Sequence, residues 1–261
     1  MKGSAYNGWR VGLPDKFWPV TLDNFFDNPD EIRELGLRLL KLDSARESSD
    51  DAGGWPGYRS EHIFNSDPGL AKRIVEKILS CYFNLDFERV FWNQLDLQFQ
   101  LITSIDKDKN SIKNKGWIHR DVVEPRLEHD PEMAPQEQLA GLIYLTPDIE
   151  RDTGTSLFDM KKDETLENWR ETRNLRREIH LGNPISDEEI ENGWEKHRSC
   201  FIEKVRFENI YNRLIMYDAG EWHSANSVYS SKDSRLTLVF FIGGILVNKW
   251  PLERVRQVKI C

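Results

Sequence analysis

Two side chains frame the chemistry. His119 and Asp121 stand two apart in Gly116-Trp117-Ile118-His119-Arg120-Asp121. Alternate side chains of an extended strand leave from one face, so this imidazole and this carboxylate reach one point in space. They are two of the three protein ligands of a facial iron site, in which two His and one carboxylate leave the opposite positions open. What the pair lacks is a second His and a cation for an acidic co-substrate.

His223 offers the first. It lies in Ala219-Gly220-Glu221-Trp222-His223-Ser224-Ala225, at the corner after the apolar stretch Leu214–Tyr217. Arg235 offers the second. It opens an apolar strand in Ser234-Arg235-Leu236-Thr237 and shares a face with Thr237, Val239 and Phe241. A cation inside a barrel is costly unless paired, and a guanidinium fork matches a carboxylate bidentately. Each signal alone also has a plain structural reading. His-x-Asp fits a polar surface strand, a lone His fits a satisfied half-buried site, and Arg235 fits a strand end reaching solvent or Asp233.

Two rival motifs fail on their neighbours. Ile118-His119-Arg120-Asp121 has the letters of a kinase catalytic loop, but the Asn that loop needs falls at Arg126, and there is no Gly-rich loop and no D-F-G. Asp152-Thr153-Gly154-Thr155-Ser156 has the letters of an aspartic-protease triplet. Such an Asp ends an apolar strand and shares a proton with a second carboxylate; here Ile149-Glu150-Arg151 precedes it, and no second copy exists.

The order of signals says more than any one of them. His-x-Asp is followed by a buried stretch ending Tyr144-Leu145-Thr146, then Gly154-Thr155 with Phe158, then the lone His223, then Arg235-x-Thr237. Over residues 91–245 this resembles the iron(II)- and 2-oxoglutarate-dependent oxygenases, in particular their prolyl-hydroxylase-like branch. The resemblance implies a double-stranded β-helix (jelly roll) with iron bound by His119, Asp121 and His223. It implies Fe(II), 2-oxoglutarate and dioxygen as cofactor and co-substrates. Arg235 would hold the distal carboxylate of 2-oxoglutarate, helped by Thr237 and by Tyr144, which matches the Tyr of the family's Tyr-Leu-Asn strand. The activity implied is hydroxylation of an unactivated C–H in a peptide, an amino-acid side chain or a small metabolite, releasing succinate and CO2. Two departures stand out: Asp121 and His223 are far apart for the family, and Thr146 replaces the Asn. A jelly roll that binds a ligand or protein without catalysis is the reading from another functional class.

These residues need elements to position them. Asn28-Pro29-Asp30-Glu31 predicts a helix start with a capping box, continuing to about Leu42. A short strand is expected around Trp18–Leu22, a loop over 43–60, and a second helix from Asp67-Pro68 with Leu70, Ile74, Ile78 and Cys81 on one face. In Gln94–Leu101 the residues Leu95, Leu97, Phe99 and Leu101 alternate with Gln94, Asp96, Gln98 and Gln100, a half-buried strand. The polar side is expected at solvent; turned inward, Gln98 or Gln100 would hydrogen-bond the co-substrate. Trp117 shares a face with His119 by parity and would line the substrate side. Residues 104–115 read as a solvated loop. Gln138–Thr146, Ser156–Met160, Asn209–Tyr217 and Arg235–Gly243 read as strands, and the tail Lys249–Lys259 as a short helix.

Residues 161–206 interrupt the β pattern. Leu166, Trp169, Leu175 and Ile179 suggest one helix, and Ser186-Asp187-Glu188-Glu189 caps another, with Ile185 and Ile190 as a hydrophobic staple. Trp169 and Trp194 belong to the core of that insertion, while His129, His180 and His197 are expected to be solvated. The organisation is one oxygenase-like domain over 1–261: helical support over 1–90, β-helix core over 91–160 and 207–245, helical insertion and lid over 161–206, and a tail over 246–261.

Composition sets outer limits. With 261 residues, 39% hydrophobic and 31% charged, the chain supports a sizeable core and is not globally disordered. A net charge of -8 argues against a general nucleic-acid binder, whose affinity rests on Lys and Arg. The 3 Cys are scattered, without a CxxC, which fits a reducing compartment. The first residues, MKGSAYNGWRVGLPDKF, hold no apolar leader, and the apolar run Leu236–Val247 is too short to cross a bilayer. A cytoplasmic protein with no membrane partner is expected, its substrate an organic molecule or peptide.

Overall fold

The computed structural model describes residues 16–41, 46–47, 56–121, 137–161, 175–176, 178–179, 183–232 and 234–256. The readings of Leu166, Trp169, His129, His180 and Asp233 lie outside the described residues.

The chain starts with β1 (Val20–Leu22) and α1 (Pro29–Leu39), and later α2 (Ile63–Ser66) and α3 (Pro68–Ser80). Proline opens α1 and α3, where its missing N–H costs nothing. Asp67 Oδ1 accepts from the Leu70 N–H at 2.8 Å. Asn28 makes no such cap; its amide donates to Glu31 Oε1 at 3.4 Å instead, so the expected capping box does not close. At the other end α1 finishes at Leu39, with the Leu40 N–H donating to Gly36 O at 3.0 Å. The expected loop over 43–60 contains two short strands, β2 (Arg46–Glu47) and β3 (Tyr58–Arg59), added to a sheet edge.

The remaining strands are β4 (Gln94–Thr103), β5 (Glu137–Tyr144), β6 (Thr155–Met160), β7 (Phe201–Phe207), β8 (Leu214–Asp218), β9 (Trp222–Ala225) and β10 (Ser234–Gly243). They form a seven-stranded sheet, β1-β8-β5-β10-β4-β3-β2, and a three-stranded sheet, β7-β6-β9. All pairings are antiparallel. A backbone bridge between His119 and His223 adds residue 119 to the free edge of the small sheet. From β4 the chain therefore passes back and forth between the sheets, and the large-sheet core β4-β10-β5-β8 pairs with 119-β9-β6-β7. This is the strand order of a double-stranded β-helix.

The outer face of the large sheet carries Leu97, Phe99, Ile143, Leu238 and Phe240, buried against Leu39, Ile74 and Ile78 of α1 and α3. Each such side chain contributes roughly 1.5–3 kcal/mol relative to exposure. A Cβ at Gly36 would lie 2.5 Å from the Phe99 ring, so only Gly lets α1 sit this close. The inner face brings Ala140, Tyr144, Ile215 and Tyr217 against Leu157 and Phe207.

Two expectations are corrected here. The polar stripe of β4 does not face solvent: Gln98 and Gln100 are only 6% and 5% exposed, because β3 and the segment before it cover them. The insertion is less helical than 161–206, since β7 occupies its last part and completes the small sheet. Its helix α4 (Asp187–Ser199) starts as expected, with Ser186 Oγ accepting from the Glu189 N–H at 3.2 Å and Ile185 packed near Ile190. The tail helix α5 spans Pro251–Arg256. Among the described residues no helix is long and apolar enough to cross a membrane.

Candidate metal centre

The bridge that joins the sheets also builds the site. His119 N–H donates to His223 O and His223 N–H to His119 O, both at 2.9 Å. The two residues are thus side by side, and their ring centroids lie 4.4 Å apart. Glycine is required next to this bridge: a Cβ at Gly116 would lie 1.8 Å from Ala225 O. Asp121 follows on the same stretch. Its Oδ2 is 3.2 Å from His223 Nε2 and its Oδ1 is 3.8 Å from His119 Nε2. One ligand atom from each of the three residues falls within 4.8 Å of the others.

Both imidazoles are oriented from behind. His119 Nδ1 bonds to Trp117 O at 2.8 Å, and His223 Nδ1 to Glu221 O at 3.1 Å. With Nδ1–H donated to a carbonyl, each Nε2 presents a lone pair inward, the arrangement that metal-ligating His residues use. Burial pushes His119 down to about 3, and the charges of His223 and Arg176 add to this, so its ring is neutral. Burial also opposes charge on His223, but the adjoining Asp121 carboxylate outweighs it and raises the imidazole above its usual value. The same pairing outweighs burial at Asp121 and lowers it.

Across the interior, Arg235 is 3% exposed. Its Nη1 donates to Thr153 O at 2.7 Å and to Ser227 O at 2.9 Å. Its Nε is buried without a hydrogen bond, and no carboxylate pairs with the guanidinium among the described residues. Burial lowers its pKa, opposed only by the Tyr144 phenol. Thr237, next on the same face, stands opposite Tyr144 on β5 and Gln100 on β4. Tyr144 donates from its hydroxyl to Thr155 Oγ1 at 3.0 Å, and burial pushes this phenol up to about 12. The Gln100 amide is engaged, donating to Pro56 O at 2.9 Å. Thr146 accepts the Leu236 N–H at 2.7 Å, which fixes the start of β10 next to Arg235.

A model of the family of unknown function DUF6445 matches residues 18–242. The chain belongs to that family. No curated protein matches it. Among solved structures, this DUF6445 protein is similar to a prolyl hydroxylase from Trichoplax adhaerens in complex with a hypoxia-inducible-factor peptide fragment. That match has TM-score 0.47 and 11% identity, covering 92% of this chain and 87% of the other. It is also similar to HygX from Streptomyces hygroscopicus with nickel and 2-oxoglutarate bound, at TM-score 0.47 and 13% identity, covering 87% and 83%. A Pseudomonas putida prolyl-4-hydroxylase matches at TM-score 0.45 and 10% identity, covering 87% and 92%.

The structure thus brings His119, Asp121 and His223 together and turns Arg235, Thr237, Tyr144 and Gln100 into the same interior. Trp117 is placed elsewhere. It is 5% exposed, in an apolar cluster with Ile179 and Ile190, its ring 5.2 Å from that of His197. His197, expected in solvent, is 2% exposed, and burial takes its imidazole down to about 3. Trp194 packs in this cluster too, its indole N–H donating to Gly116 O at 3.3 Å.

Two residues near the centre of this DUF6445 protein were not singled out from the sequence. Tyr217 puts its ring 4.8 Å from the His223 ring. The alternation of Leu214–Tyr217 places it with Ile215 on the inner face, which was readable, but not what it touches. Arg59 reaches inward from β3, its guanidinium 5.8 Å from the Phe241 ring. Burial lowers its pKa against the charges of Asp96 and Asp121. The segment holding it is tied down: Gln98 Nε2 donates to Ser60 O at 2.7 Å and the Phe99 N–H to Ser60 Oγ at 3.1 Å. Gly57 has φ 77° there, and a Cβ would meet Leu101 O at 2.1 Å.

Proposed function

We propose that this protein is an Fe(II)- and 2-oxoglutarate-dependent dioxygenase. It hydroxylates an unactivated C–H of a peptide, an amino-acid side chain or a small metabolite and releases succinate and CO2. The observation that carries this reading is the pairing of two features in one interior: a two-His, one-carboxylate group with ligand atoms within 4.8 Å, and a buried guanidinium with no carboxylate partner among the described residues.

The donor set fits a divalent iron. Imidazole and carboxylate suit it, and three protein ligands leave positions for other molecules. His119, Asp121 and His223 would hold the metal, which when bound supplies the activation of dioxygen. Arg235 holds the distal carboxylate of 2-oxoglutarate through Nε and its free donor capacity, while Nη1 stays tied to two carbonyls that fix the fork. Thr237 and Tyr144 line the same end. Orientation of the co-substrate is therefore the work of the large sheet, and metal retention the work of the bridge to the small sheet. Burial of Arg235, 3% exposed, keeps water from the guanidinium end.

The test is direct. Purified protein given Fe(II), oxygen and 2-oxoglutarate is expected to form succinate slowly without any added substrate. His119→Ala and Asp121→Ala should lose both this turnover and metal binding. Equal succinate from the wild type and His119→Ala would refute the proposal.

A further inference from the structure

The three candidate ligands are covered unequally. The His223 side chain is 7% exposed and that of His119 27%, so the group opens on the His119 side. Residue 119 forms one edge of the small sheet, and the matching strand of the large sheet is β4, to which β3 adds. β3 therefore stands beside the opening. Its Arg59 is in register with Gln100, which is in register with Thr237 in the same inward-facing row. The Arg59 guanidinium does not stay in that row. It lies 5.8 Å from the ring of Phe241, which is further along β10 from Arg235 than Thr237 is. The side chain thus leans away from the co-substrate end, towards a ring that is only half-buried. There the charges of Asp96 and Asp121 both bear on it.

We infer that Arg59 is a substrate-binding residue and that the substrate presents an oxyanion, carboxylate or phosphate, to its guanidinium. The inference rests on the dioxygenase reading and deepens it, narrowing the substrate to an acid. A guanidinium fork matches either group bidentately. Charge balance is the reason an anion belongs here. In the protein alone, Asp121 is a counter-charge to Arg59. A divalent metal on Asp121 would take over that carboxylate and set a second positive centre beside the guanidinium, and like charges at this range repel. Asp96 remains, but it is shared with His62, whose Nδ1 is 3.5 Å from its Oδ1. An anionic substrate offsets the repulsion, whereas a neutral one leaves it. The co-substrate does not fill this role, because its distal carboxylate goes to Arg235 and its other end to the metal. The chain as a whole has a net charge of -8, so this cation is not part of a general basic surface.

Nuclear magnetic resonance of small probes reads this directly. Mn(II)-loaded protein saturated with 2-oxoglutarate has the Arg235 end filled, and the Mn(II) relaxes the protons of any probe held near it. The probes are phenyl phosphate, phenylacetate and the neutral phenylacetamide, with Zn(II)-loaded protein as the diamagnetic control. At least one of the two acids is expected to show Mn(II)-dependent relaxation and to bind about tenfold more tightly than the amide, the worth of one hydrogen bond to a charged group. The tighter acid tells phosphate from carboxylate. Arg59→Gln should bring that acid down to the affinity of the amide, and Arg59→Lys should recover part of the loss. Equal binding of acid and amide, no relaxed acid in the wild type, or an acid preference that survives Arg59→Gln would each overturn the inference. So would an Arg59→Gln variant that loses Mn(II) and all probes alike, for then Arg59 only steadies Asp121. If the wild type shows no metal-dependent 2-oxoglutarate binding, the dioxygenase reading falls and this inference with it. If it binds 2-oxoglutarate yet shows no preference for the acids, only this inference falls.

Discussion

Single atoms decide how Arg235 is aimed. The strand that carries it begins where the Leu236 N–H meets Thr146 Oγ1 at 2.7 Å, and Thr146 is 6% exposed. Water has little access to replace this acceptor. Thr146→Val keeps the shape and removes the oxygen, leaving a buried N–H unsatisfied, which costs about 1–3 kcal/mol. Thr146→Ser keeps the acceptor and should stay near wild type. Urea denaturation of both variants checks this, and equal stability of Val and Ser would show that the bond is worth nothing. The departure from Tyr-Leu-Asn at this position is thus filled by a smaller side chain with a defined backbone partner. At this scale the sequence was legible where chemistry is distinctive. His119, Asp121 and His223 stand out by residue type and spacing, and the structure places them together; Arg235 stands out as a cation on an apolar strand, and the structure buries it. Tyr217 and Gln98 did not stand out. Alternation tells which side chains share a face, but not whether that face is covered, and the cover over β4 comes from residues 56–60, far away in sequence.

At the scale of elements, the insertion is welded to the strand that carries His119. Ile190 and Trp194 of α4 pack with Trp117, and His197 lies between the Trp117 and Phe201 rings, at 5.2 and 5.4 Å. The insertion expected from sequence to form a lid is therefore fixed to this strand through α4. The acid response of this contact follows from His197. Its unfolded pKa is near 6.5, and burial, then Arg176, lowers the folded value to about 3. The unfolded chain binds the extra proton between those values. Stability is thus complete above pH 6.5 and falls as the pH drops toward 3, by up to about 1.4 kcal/mol per pH unit. His197→Phe keeps an aromatic ring in the gap and removes the titration. Its melting midpoint should fall less than the wild-type midpoint between pH 6.5 and 4.5, and parallel declines would rule out His197 as a source of acid sensitivity. The same region shows why element boundaries were harder to read than elements. Phe201, Glu203, Val205 and Phe207 alternate with Ile202, Lys204 and Arg206, but a charged Glu203 hides the apolar side. That carboxylate pairs with Arg198 and Arg206, at 3.1 and 2.6 Å, so the β7 pattern becomes clear only with its partners in view.

At the scale of the molecule, the site spans both sheets, and ligand binding must register in global stability. His119 and His223 belong to the small-sheet side, and Arg235 to the large sheet. Under the proposed function a metal would be held by the first group, and 2-oxoglutarate would reach from it to Arg235. Any ligand that binds only the folded state stabilises it by RT ln(1 + [L]/Kd), about 2.7 kcal/mol at a hundredfold excess over Kd. Ni(II) alone should raise the melting midpoint of the wild type, and 2-oxoglutarate should add a second increment that depends on the metal. Arg235→Ala should keep the first increment and lose most of the second. His119→Ala should lose both, because without the metal the chelating end has nothing to bind. Differential scanning fluorimetry of the three proteins, with each ligand alone and with both, separates these cases. The order of the losses carries the argument: if Arg235→Ala abolished the nickel increment while His119→Ala retained it, the two ends of the site would have been assigned the wrong way round.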